Sequence, residues 1–79
     1  MPKLVHKKRT FSGDVLSIRR AALGYSISQL AVKLGCSRTA VHKWEIGKFQ
    51  PSPKWVLKLS EVLKTKPEYF NIAKVSDGN

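Results

Sequence analysis

With 79 residues, 42% of them hydrophobic, the chain has enough apolar surface for one compact core and too little for two. Fifteen Lys and Arg against five Asp and Glu leave a formal charge of +10, more than solubility asks for, which points to a polyanionic partner. The lone Cys36 excludes an intrachain disulfide, no apolar run approaches a signal or membrane-spanning segment, and Cys36, His6 and His42 lack the paired spacing of a zinc site. A reducing setting without metal or cofactor is expected, either cytoplasmic and nucleoid-associated or nuclear in a eukaryotic cell.

Residues 1–11 carry Lys3, Lys7, Lys8 and Arg9 with no apolar period, and are expected to be a basic, flexible arm. The rest of the chain keeps about +6, eleven cations minus five acids. Ser12 or Asp14 caps a first helix running to about Leu23, with Val15, Leu16, Ile18, Ala22 and Leu23 on its apolar side and Gly24 at its end. Ser26 followed by Gln29 fits a capping box, and Leu30, Ala31 and Leu34 recur at helical spacing up to Gly35. After Cys36, Ser37 caps a third helix over Arg38 to Glu45, which Gly47 closes.

A connector from Lys48 to Pro51 leads to Ser52 as cap and Pro53 as first residue of a fourth helix reaching about Lys64. Trp55, Val56, Leu59, Val62 and Leu63 form its core stripe beside Trp44, which leaves Leu57 on the polar side. Pro67 opens a short fifth helix through Glu68, Tyr69 and Phe70 to Ile72, and residues 74–79 form a disordered tail. No stretch alternates with period two, so no strands are expected. The domain proper spans residues 12–73.

Function is concentrated on the third helix. At about 100° per residue, Arg38, His42, Thr39 and Lys43 project at roughly 0°, 40°, 100° and 140°, while Ala40, Trp44 and Val41 fall on the opposite side. Arg38 and Lys43 suit guanine O6 and N7, and Thr39 suits a thymine methyl or a polar base edge. His42 shares the arc, where a protonated imidazole also suits a phosphate. A solvated face is the bland alternative. Against it stand the tight turn between two short helices, which presents a recognition helix, and the groups suited to DNA phosphates: the helix N-termini at Ser26, Ser37 and Ser52, Gly47 and Lys48 of the basic connector, and Lys54. The arm's Lys7, Lys8 and Arg9 are assigned to the same backbone, where each neutralised phosphate releases counterions.

In order and spacing, these residues resemble the helix-turn-helix of the lambdoid phage repressors and Cro proteins, the xenobiotic-response-element type. The match runs from Leu16 to Phe70. It rests on Arg20, Ser26, Leu30-Ala31, Leu34-Gly35, Ser37, Val41, Trp44-Glu45, Gly47-Lys48, Pro51-Ser52, Leu59, Leu63 and the Pro67-Glu68-Tyr69-Phe70 ending. The resemblance implies an all-α, five-helix, lambda-repressor-like domain in which Arg38, Thr39 and Lys43 read bases. It also implies a structural ion pair between Arg20 and Glu45, with Arg19 as the nearby alternative, and a dimer seam formed by Leu57 with Tyr69, Phe70 and Ile72. One departure is Ile27, where the family often has a glutamine that braces a phosphate.

The reading that follows is a sequence-specific transcriptional regulator, a repressor, binding double-stranded DNA as a homodimer on a palindromic operator. An antitoxin or scaffold serving a protein partner is the alternative, although Ala73 to Asn79 offers such a partner little surface. An enzyme would need nucleophile, base and orienting group to converge, and only Cys36, His42 and Glu45 qualify by type. A membrane-surface role competes with the core for the apolar stripe of the fourth helix, and an RNA-binding role lacks outward stacking aromatics.

Overall fold

Three of the four α-helices begin at a serine whose hydroxyl accepts from the first turn. The computed structural model describes residues 6–76, with side-chain surroundings from Thr10 to Asn71. Residues 1–5 of the expected arm and 77–79 of the expected tail lie outside the described residues, as do the side chains of Lys7, Lys8, Arg9 and Ile72.

Helix α1 (Gly13–Ala22) starts with Val15 N–H donating to Ser12 Oγ at 3.2 Å. Helix α2 (Ile27–Leu34) has the full capping box: Gln29 N–H donates to Ser26 Oγ at 3.0 Å, and Ser26 N–H donates to Gln29 Oε1 at 2.8 Å. In α3 (Arg38–Glu45), Ala40 N–H donates to Ser37 Oγ at 3.0 Å. Helix α4 (Pro53–Val62) starts at Ser52 without a side-chain capping bond; Pro53 supplies a pre-set φ and lacks the N–H that would need an acceptor.

The helices enclose Leu16, Leu30, Ala31, Leu34, Val41, Trp44, Leu59, Leu63 and Phe70, with Trp55, Val56 and Val62 half-buried at the margin. Trp55 tilts against Trp44, ring centroids 5.8 Å apart. Helix α1 contributes less apolar surface than its sequence suggests, since Ile18 is 66% exposed and Ala22 and Leu23 are also exposed. The reason is angular: Ile18 lies about 200° around from Leu16, whereas Arg19 and Arg20 flank the Leu16 side. Those arginines find backbone and carboxylate acceptors there.

Two expectations are corrected at the chain ends. The fifth helix is a single 3₁₀ turn, Pro67–Phe70, so the described residues hold four α-helices and not five. Asn71 is already extended, and the chain passes directly into a strand. Strands are also present. β1 (His6–Phe11) pairs antiparallel with β2 (Asn71–Ser76), in register from His6 opposite Ser76 to Phe11 opposite Asn71. The ribbon begins within the segment read as a flexible arm, and Ile72 belongs to it.

This pairing joins the two ends of the chain, so no local turn or alternation announces it. Ser12 N–H donates to Phe70 O at 2.7 Å, and the Phe11 ring stacks on Phe70 at 5.6 Å, setting the two backbones side by side. The ladder then follows from backbone groups that need partners.

Candidate nucleic-acid interface

Helix α2 ends in a tight turn because Gly35 N–H and Cys36 N–H both donate to Ala31 O, at 2.9 and 3.0 Å. Ser37 follows at once as the cap of α3. The chain therefore reverses over a few atoms, and α3 is held against α2 by buried Val41 and Trp44 on one side. Cys36 packs half-buried against the core. Burial pushes its thiol pKa up, opposed in part by the charge of Lys58, so the group stays protonated at neutral pH and serves packing.

The opposite arc of α3 leaves Arg38, Thr39 and His42 exposed, as the helical projection predicts. Lys43 is half-buried, with Nζ standing 5.2 Å from the centroid of the Phe49 ring. Ser26, Ser37, Gly47, Lys48, Ser52 and Lys54 are all exposed. Gly47 takes φ +79°, a left-handed value that lets the chain fold back so that Lys48 N–H donates to Lys43 O at 3.0 Å. From Ser26 to Ser60 the cations are Lys33, Arg38, Lys43, Lys48, Lys54 and Lys58, and the only acid is Glu45.

That acid is already engaged. Arg20 Nε and Nη2 donate to Glu45 Oε2 and Oε1 at 2.5 and 3.1 Å, and Arg20 Nη1 donates to Tyr25 O at 2.7 Å. The fork fixes α1 to the end of α3 and to the start of the α2 region in one step. Helix α3 thus presents its cations with no uncommitted carboxylate between residues 26 and 60.

Arg19, the alternative partner in the sequence reading, does something different. Its Nε donates to Leu63 O at 3.0 Å and its Nη2 to Lys64 O at 3.1 Å, which satisfies carbonyls left over at the end of α4. The guanidinium also lies 5.6 Å from the centroid of Tyr69. An Arg-Arg dipeptide on a helix does not show which member points where, so this cap has no sequence signal. Gly13 and Phe49 are likewise absent from the sequence reading; both bear on α3, as described below.

The core takes one residue of the expected seam. Phe70 is fully buried in the core and therefore cannot face a second protomer. Leu57 is 55% exposed and lines a groove with Pro53, Val56, Pro67 and Asn71, whereas the exposed Tyr69 lies beneath Arg19. Among the described residues, no helix is long and apolar enough to cross a membrane, and no group of three or more His, Cys, Asp or Glu is placed to hold a metal ion.

Two eight-residue helices joined by this turn, with the second braced from behind and cationic in front, define a helix-turn-helix domain of the phage-repressor type. The profile of the helix-turn-helix family matches residues 16–70, and the chain belongs to that family. The SPbeta prophage-derived HTH-type transcriptional regulator YonR of Bacillus subtilis (strain 168) is 37% identical over 58 residues, covering 73% of this chain and 54% of that protein. The chain thus spans about half the length of that relative. Among solved structures, the restriction-modification controller protein C.AhdI from Aeromonas hydrophila is 33% identical, with a TM-score of 0.70 over 73% of this chain and 88% of its own. The P22 c2 repressor, solved in complex with a synthetic operator, is 28% identical, with a TM-score of 0.72 over 77% of this chain and 92% of its own.

Proposed function

We propose that this protein is a sequence-specific DNA-binding transcriptional regulator, a repressor, that sets α3 in the major groove of its operator. The observation that carries this reading is the exposure of Arg38, Thr39 and His42 on the arc of α3 opposite buried Val41 and Trp44. Arg38 and Lys43 read guanine edges, Thr39 a thymine methyl or polar edge, and His42 an adjoining base or phosphate. Ser26, Ser37 and Ser52 bring helix N-termini to phosphates, joined by Gly47, Lys48, Lys54 and the N-terminal cations Lys7, Lys8 and Arg9. The solved operator complex of the P22 c2 repressor supports the assignment by likeness of fold.

Selection of bound duplexes from a random pool tests this reading. Arg38→Ala is expected to cost about 1 to 3 kcal/mol at the selected site and to relax one base position. Equal affinity with an unchanged preferred sequence would falsify the assignment.

One such helix reads few base pairs, so two protomers on a palindrome are part of the proposal, their helices about 34 Å apart centre to centre. Leu57 and the groove beside it form the apolar contact, without Phe70. Leu57→Glu sets like charges across a two-fold seam and is expected to weaken cooperative binding while leaving the fold intact. Sedimentation of the protein with a palindromic duplex checks this: one protomer per duplex at saturation, for parent and variant alike, rules out the dimer.

A further inference from the structure

Phe49 is a large apolar residue left 54% exposed at the C-terminal end of α3, where the core makes no claim on it. Its place is nevertheless fixed. The left-handed turn at Gly47 sends the chain back over the helix end, Lys48 N–H and Phe49 N–H both donate to Lys43 O at 3.0 and 3.4 Å, and the Phe49 ring comes under the ammonium of Lys43. The same lysine is thus gripped at its carbonyl by the backbone of the connector and at its Nζ by the side chain.

An aromatic face holds a cation in a way that differs from a salt bridge. The ring quadrupole restricts the ammonium to one region while leaving the N–H donors that point away from the ring, and the formal charge, available to a partner. A carboxylate at this place would consume both. The only acid between residues 26 and 60 is Glu45, and Arg20 occupies it through both oxygens. Lys43 is therefore limited in position and unspent in chemistry, which is what a side chain with four rotatable bonds needs in order to read one base edge and not its neighbours.

We infer that Phe49 is a specificity-determining positioning residue that holds the Lys43 ammonium in place for readout of a base edge. This rests on the proposed use of α3 in the major groove. Phe49 itself acts through Lys43.

The experiment compares base preferences, selected from one random duplex pool, for the parent, Lys43→Ala, Phe49→Leu and Phe49→Tyr, with circular dichroism melts to verify the fold. Lys43→Ala is expected to flatten one base position. Phe49→Leu is expected to reduce the preference at that same position by about two- to fivefold, the bias that an exposed cation–π contact imposes on a rotamer population, and Phe49→Tyr to keep it. A Phe49→Leu protein with the parent's preference at that position overturns the inference, as does Phe49→Tyr losing as much as Phe49→Leu, or Lys43→Ala changing no position. The reading of α3 itself fails on a separate result, a parent that selects no sequence, and the inference falls with it.

Discussion

Glu45→Ala is expected to lower the stability of the fold by about 3 kcal/mol or more, the range found when one member of a buried ion pair is removed. The two side chains are 15% and 8% exposed, so bulk water does not replace the lost carboxylate at the guanidinium. Two charge-assisted bonds disappear and only the Tyr25 carbonyl remains as acceptor for Arg20. The hydrogen bond to Glu45, opposed by burial and helped by the carboxylate's charge, raises the Arg20 pKa above the ordinary arginine value. A raised folded-state value means stabilisation present below the unfolded pKa and lost only as pH rises through the folded one. The guanidinium therefore stays charged throughout the pH range of ordinary unfolding experiments.

In a domain of this size the loss converts to a fall in Tm of about 12 to 24 °C, since 1 kcal/mol is worth about 4 to 8 °C. Thermal unfolding followed by circular dichroism measures it. A melting temperature within a few degrees of the parent means that the pair contributes no more than a surface contact, about 0 to 1 kcal/mol. Arg20→Lys tests the geometry separately. It keeps the charge but loses the fork that reaches both Glu45 oxygens and Tyr25 O, so it is expected to recover only part of the stability.

What the sequence made legible follows a physical division. Local signals were complete: Ser26 with Gln29, Ser37 before α3, and Pro53 at the head of α4 each act within one helical turn, and helical periodicity alone puts Arg38 and Thr39 opposite Val41 and Trp44. The Arg20–Glu45 pair spans 25 residues and was accessible only because the chain resembles a family that has it. Ile18 is apolar yet exposed because it lies about 200° around the helix from buried Leu16, an angle that hydrophobicity alone does not convey. The ribbon of β1 and β2 was missed for a different reason. Its register joins residues some 60 to 70 positions apart, and neither strand shows the alternation by which a half-buried strand is recognised.

Gly13 belongs to the same class of non-local constraint, and Gly13→Ala is the second substitution expected to have a large effect. On local grounds the change should help: alanine restricts the unfolded chain more than glycine does, which favours it by about 0.4 to 1 kcal/mol where the native backbone conformation suits both. The surroundings reverse that sign. A Cβ at this position would stand 2.7 Å from the carbonyl carbon of Glu45 and in still closer collision with the carbonyl oxygens of Glu45 and Trp44. These are backbone atoms at the end of α3, and the Trp44 oxygen also accepts from Gly47 N–H at 3.3 Å, so no side-chain rotation relieves the overlap.

The first turn of α1 rests there, its positive dipole end against the last carbonyls of α3, and only glycine allows that approach. Relief requires α1 and α3 to move apart, which also strains the Arg20–Glu45 fork that bridges the same two helices. The expected net loss is about 3 kcal/mol, the upper end of the range for overpacking. Urea unfolding at equilibrium measures it through the midpoint, with an unchanged slope showing that stability and not compactness has altered. Because the displaced atoms belong to α3, the helix proposed to enter the major groove, the variant is also expected to bind its selected duplex more weakly than the parent at a temperature where both are folded. A variant as stable as the parent, or more so, places α1 farther from α3 than the structure does, and local helix propensity then decides the outcome at this position.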